Sequence, residues 1–103
     1  MKNIKVGLIG AGRIGKLHAE NLTTHIPHVE LVALADTNLT LAKKVANNFN
    51  IPYYFDDYHQ IIDHPEIDAA IICSPTNTHA QIIQETSSAG KHVFCEKPID
   101  FDL

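Results

Sequence analysis

The chain has 103 residues, 45% of them hydrophobic and 19% charged, with a formal net charge of −4. That is the composition of one small globular domain rather than a disordered chain, of a size that buries roughly 60–70% of its unfolded surface. The acidic balance, with no basic cluster larger than Lys43-Lys44, argues against nucleic acid as a partner. No apolar run is long enough for a membrane span or a signal peptide, so no membrane association is expected and the default address is the cytoplasm.

From the N-terminus, Ile4–Ile9 (IKVGLI) predicts a buried strand, followed by a glycine turn and a helix from about Arg13 to Thr24. On that helix His18 and Asn21 share a face with Ile14, Leu17 and Leu22, and read as half-buried polar groups without chemistry. Glu30–Ala35 (ELVALA) predicts a second strand, and Leu39–Phe49 a helix with Ala42, Val45, Ala46 and Phe49 at helical spacing. Tyr53–Phe55 predicts a short third strand, and a brief helix after Asp57 sets Tyr58, Ile61 and Ile62 on one side. Ala69–Cys73 (AAIIC) predicts the fourth strand. Asn77–Ala89 then predicts a helix striped by Ile82, Ile83, Thr86 and Ala89, with Gly90 where a helix C-terminal glycine belongs. His92–Cys95 predicts a fifth strand buried in a sheet, and a further helix begins at residues 99–103.

This βαβαβαβαβ order, with short connections and continuous apolar strands, calls for an α/β fold. The expectation is a Rossmann-type doubly wound parallel sheet of five strands, helices on both faces, crossovers right-handed, and the C-terminal edge incomplete. Residues 1–103 read as one domain, and the missing sixth strand implies a piece of a longer chain. Cys73 and Cys95 each end an apolar run and read as reduced, buried thiols. There is no CxxC, and the seven histidines form no HxxxH or HExxH pair, so no metal site is expected.

Gly10-Ala11-Gly12-Arg13-Ile14-Gly15 is a G-x-G-x-x-G placed after a predicted strand and opening a predicted helix, the context in which that weak motif becomes informative. Gly10 permits the tight turn, Gly12 leaves room for a pyrophosphate, and Gly15 lets helix and strand approach. The helix start, with Arg13 and Ile14, presents free N–H groups to the phosphates. Asp36 ends the second strand 21 residues beyond Gly15, where a carboxylate accepts ribose hydroxyls and repels a 2′-phosphate. Thr37 and Asn38 follow, with no arginine to neutralise such a phosphate, so the expected cofactor is NAD rather than NADP. A bare N-terminal cap is the plainer reading of Asp36.

The fourth strand runs into Ser74-Pro75-Thr76-Asn77-Thr78-His79, a cluster of hydroxyl, amide and imidazole groups. It lies at the carboxyl end of a strand beside the switch point, well placed for the nicotinamide half of a dinucleotide, although one member must cap the helix. The fifth strand delivers Glu96-Lys97-Pro98 to the same rim. A proline there biases Lys97 toward extended backbone, and the charges then face a crevice.

GAGRIGKLHAENL, ICSPTNTHA and GKHVFCEKPID together resemble the glucose–fructose oxidoreductase/inositol dehydrogenase (Gfo/Idh/MocA) family over the whole chain, but only its nucleotide-binding half. The EKP is the most specific mark, and the wording is nearest to inositol 2-dehydrogenases. The resemblance implies hydride transfer between NAD(P) and the carbinol carbon of a cyclitol or sugar, with Lys97 at the active site. It also implies a second, sheet-rich domain that supplies an Asp and a His for proton transfer and builds a dimer or tetramer. A methyltransferase shares the glycine loop and the acid, but has no use for Lys97-Pro98. The alternative from another class is a non-catalytic dinucleotide-binding module or an inactive remnant. A reading frame that continues into a sheet-forming domain would separate it from a dehydrogenase.

Overall fold

Short apolar runs rich in Ile, Val, Leu and Ala form the three central strands, which are mostly buried. The computed structural model describes residues 4–24, 28–74 and 78–95. In chain order the elements are β1 (Ile4–Ile9), α1 (Arg13–Thr24), β2 (Val29–Ala35), α2 (Leu39–Phe49), β3 (Tyr53–Phe55), α3 (His59–Ile62), β4 (Ala69–Ile72), α4 (His79–Ser88) and β5 (His92–Cys95). Every strand pair is parallel and the order is β3-β2-β1-β4-β5. The order reverses between β1 and β4, as in a dinucleotide-binding sheet.

Alternation along the strands, broken by a bulge in β2 where Val6 pairs Leu31 but Gly7 pairs Ala33, divides the core in two. Leu8, Leu31 and Leu34 meet Ala19 and Leu22 of α1 and Ala42, Val45 and Ala46 of α2. On the other face Ile9, Val32, Ala35 and Ile72 meet Ile61 of α3 and Ile82 of α4. Leu8, Leu34, Ile61 and Ile72 are almost wholly buried, each contributing roughly 1.5–3 kcal/mol by area. Asn38 caps α2 by accepting the Leu41 N–H at 3.1 Å, and Gly90, at φ +80°, follows the end of α4. In the strand interior, a side chain at Gly7 would come within 2.5 Å of Ile61 Cγ2. That glycine lets α3 sit directly on the sheet.

Three expectations need correcting. Leu17 does not share the packed face of α1. It is 53% exposed, and the buried positions among the described side chains of α1 are Gly15, Ala19 and Leu22; at Gly15 the close approach of helix to sheet leaves no room for a side chain. Cys73 is a half-buried thiol outside any disulfide, just past β4 rather than inside it. The Cys95 side chain lies outside what is described.

The third correction is β5. It is not a buried strand: Phe94 is 62% exposed and His92 is also exposed, while Val93 packs with the Ile82 cluster. β5 is the edge of the sheet, bonded only to β4 and covered by α4 on one face. Among the described residues nothing covers the Phe94 face. No helix among them is long and apolar enough to cross a membrane, and no group of His, Cys, Asp and Glu there is arranged to hold a metal ion.

Candidate functional site

Where the sheet order reverses, the carboxyl ends of the strands are tied into one rim. Gly10 N–H donates to Ala35 O at 2.7 Å, Cys73 N–H to Ile9 O at 2.7 Å, and Asp36 N–H to Phe55 O at 3.0 Å. These bonds carry the ladder one residue past the strand ends and bring together the glycine loop, Asp36 and the segment after β4.

The three glycines of the loop differ in what excludes a side chain. Gly10 adopts φ +105°, and a Cβ there would lie 2.8 Å from the Cys73 carbonyl carbon and from Ser74 N. A Cβ on Gly15 would fall onto the Gly10 carbonyl oxygen, well inside van der Waals contact. Both positions are explained by the chain's own packing. Gly12 is not: a Cβ there meets nothing within 4 Å, and the residue is exposed. It borders open space at the head of α1, where Lys16 N–H takes the first intrahelical acceptor, Gly12 O, at 2.8 Å. The N–H groups of the first helical turn therefore have no intrahelical partner. Arg13 and Ile14 contribute backbone to that turn.

Asp36 does more than the sequence implied. Its Oδ2 accepts the Ala11 N–H at 2.8 Å and its Oδ1 the Asn38 N–H at 2.8 Å. The carboxylate thus latches the glycine loop to the end of β2 and shapes the turn into α2. The helix cap is Asn38, not Asp36. An ionised carboxylate offers about four acceptor positions, so two remain for a ligand's hydroxyls. Thr37, beside it, is exposed. An Asn just before the first residue of the apolar helical pattern is an N-cap signal that is legible in the sequence. The Ala11 contact has no local signal at all.

After β4, Ser74 Oγ and Thr78 Oγ1 are hydrogen-bonded at 2.8 Å, and His79 Nε2 lies 2.7 Å from Ser74 O. Thr78 occupies the N-cap position of α4 without a side-chain capping bond. Ser74 and His79 are thus brought to the rim, half-buried. The expectations for Pro75, Thr76, Asn77, Glu96, Lys97 and Pro98 lie outside the described residues. At the other, amino end of the strands there is an open cavity of about 380 Å³ lined by Ile4, Ile67, Asp68, Lys91 and His92, among others. The Lys91 ammonium there is taken up by His64 O and Ile67 O, both at 2.7 Å. It is the wrong end for a ligand in an open α/β sheet.

Residues 4–103 match the model of the oxidoreductase family with an NAD-binding Rossmann fold, GFO_IDH_MocA. The chain belongs to that family. Among relatives it is similar to an uncharacterized oxidoreductase of Bacillus subtilis, YrbE, at 48% identity over 102 residues, 99% of this chain and 30% of that one. The myo-inositol 2-dehydrogenase of Thermotoga maritima is 38% identical over 100 residues, 97% of this chain and 30% of the relative. The crystal structure of scyllo-inositol dehydrogenase from Lactobacillus casei with bound NAD(H) and scyllo-inositol superposes with a TM-score of 0.88 at 40% identity, over 98% of this chain and 30% of that one. The chain therefore spans about 30% of the length of these Gfo/Idh/MocA relatives.

Proposed function

We propose that the chain is the NAD-binding part of an oxidoreductase that moves hydride between NAD and the CH–OH group of a cyclitol, most simply an inositol. The observation that supports this best is the contrast within the glycine loop. Gly10 and Gly15 are consumed by packing, whereas Gly12 faces open space beside a helix start and a latched carboxylate. That is the shape a pyrophosphate requires. When bound, NAD supplies a ring that accepts or returns hydride. The chain's own residues do the rest. Gly10, Gly12 and the first turn of α1, from Arg13, Ile14 and Gly15, hold the phosphates. Asp36, with Thr37 beside it, accepts the ribose hydroxyls. Ser74, Pro75, Thr76, Asn77 and His79 border the nicotinamide half, and Glu96 steadies Lys97, which holds the substrate hydroxyl.

The same reading places residues 1–103 as one dinucleotide-binding domain, with a further domain of the full-length protein completing the substrate pocket and a homo-oligomer. It also places the protein in the cytoplasm, in keeping with a Cys73 that forms no disulfide.

Two measurements test it. NAD is expected to bind about ten- to a hundredfold more tightly than NADP, the size of one charge-assisted hydrogen bond gained or one phosphate repelled at Asp36. Calorimetry with both cofactors reads this directly, and equal affinities would sink the role given to Asp36. The 103 residues alone are expected to yield no inositol-dependent NADH, since only one wall of the pocket is in them. Absorbance of NADH during incubation with inositol decides that, and turnover by the isolated chain would overturn the two-part reading.

A further inference from the structure

One group of side chains ties α3 to α4 on the face of the sheet opposite α1. His59, the first residue of α3, has Nδ1 2.7 Å from Asp57 Oδ1 and Nε2 2.7 Å from Glu85 Oε2. The Tyr58 hydroxyl is shared between the two Glu85 oxygens at 3.0 Å, and Gln81 Nε2 donates to Glu85 Oε1 at 2.9 Å. The Tyr58 and His59 rings stack with centroids 4.2 Å apart. Asp57 Oδ1 also accepts the His59 backbone N–H at 2.9 Å. A neutral imidazole has one N–H and one lone pair. Between two carboxylates at hydrogen-bonding distance, it would turn its lone pair toward one of them. Only the imidazolium satisfies both contacts.

We propose that His59, as an imidazolium shared by Asp57 and Glu85, is a positioning residue that holds α4 in the place from which its N-terminus borders the crevice. Glu85 sits six residues along α4 from His79, roughly 9 Å of helix. His79 and Thr78 carry the contacts to Ser74 that build the rim. A shift of α4 at Glu85 is therefore transmitted along a rigid helix to the nucleotide side. The link to NAD rests on the function proposed above; the charge state of His59 does not.

The titratable groups that meet the ring are Asp57, Tyr58 and Glu85. The hydrogen bond to Asp57, and then the charges on Asp57 and Glu85, hold His59 above its ordinary value. Asp57 is held below the usual carboxylate range by the His59 backbone N–H and then by its ring. Glu85 is held down by Gln81 first, then by Tyr58 and His59. Burial, and the Glu85 carboxylate behind it, push Tyr58 up. With the histidine raised, the clamp is complete below the ordinary histidine value and is lost as pH rises through the raised one. With the carboxylates lowered, it is present above their ordinary range and is lost as pH falls through the depressed values. The clamp is thus closed in a window between the two.

Two-dimensional NMR of the histidine rings in the intact protein follows this directly. His59 is expected to titrate above about pH 6.5, and to move down in Glu85→Gln and in Asp57→Asn, both substitutions at polar positions outside the core. NAD affinity is then measured at about pH 6 and about pH 8.5. Wild type is expected to weaken by about two- to fivefold more than His59→Gln over that interval, the size of a partly exposed charged contact. A His59 that titrates at or below the ordinary value, unmoved by either carboxylate variant, overturns the imidazolium. Identical NAD profiles in wild type and His59→Gln overturn the positioning role. Should NAD bind at neither pH, the dinucleotide reading is what fails. Amide exchange along α4 then judges the clamp: protection lost above the His59 midpoint supports it, and protection indifferent to that charge overturns it.

Discussion

If the full-length protein is the oxidoreductase proposed, replacing its Lys97 by alanine is expected to lower turnover by about a hundredfold or more while NAD affinity changes little. Oxidising an alcohol requires that its hydroxyl proton leave, and negative charge gathers on the oxygen as it does. An ammonium fixed beside that oxygen stabilises the charge or relays the proton. The fold supports the placement up to the last described residue. β5 runs parallel to β4 with Cys95 opposite Ile72, so the chain leaves β5 at the same rim that carries Ser74. Steady-state turnover and NAD binding are measured separately on the variant. Turnover that survives within a few-fold would make Lys97 a surface lysine paired with Glu96, worth little, and the site reading would fall with it.

Gly12→Ala and Gly15→Ala are expected to fail in different ways, and the difference is the second large effect. A methyl group on Gly12 meets no protein atom within 4 Å, so thermal unfolding should move little. It would stand in the space assigned to the pyrophosphate, and NAD affinity should drop by tenfold or more, which is about 1.4 kcal/mol. A methyl group on Gly15 strikes the Gly10 carbonyl oxygen, a backbone atom held in place by the Gly10 N–H bond to Ala35 O. Overpacking of that kind costs about 1–3 kcal/mol, and stability and binding should fall together. Thermal melts and calorimetry on both variants read the contrast. A Gly12→Ala protein that binds NAD normally would show that Gly12 does not face the cofactor.

Most of the scaffold was legible because each strand and helix announces itself locally. Ile4–Ile9 and Ala69–Cys73 are apolar runs too short for helices, and Leu39–Phe49 repeats its apolar residues at helical spacing, so the residues later found in the two cores could be marked in advance. The motif was legible for a related reason. A glycine required at a turn, at a helix–strand contact and at a phosphate leaves a spacing, and spacing survives in one dimension. Leu17 was misplaced because spacing alone does not say which of two adjacent faces packs. Gly15 and Ala19 won that face because the start of α1, where Gly15 lies against the Gly10 carbonyl, has no room for leucine, while Leu22 packs further along.

By itself, the sequence determined the alternation of strands and helices, the parallel sheet that follows from it, and the carboxyl-end rim where Gly10, Gly12, Asp36 and Ser74 meet. Each of these depends on side-chain period and turn chemistry between near neighbours, and short parallel crossovers leave few ways to arrange the strands. Tertiary structure alone decided the distant partners of Asp36 and Tyr58. Ala11 meets Asp36 across 25 residues, and Tyr58 meets Glu85 across 27. Nothing within a helical turn or a strand repeat records such a partner. It also decided that Phe94 stands exposed, because burial of a strand is set by what covers it, and an apolar run reads the same at a sheet's centre as at its edge.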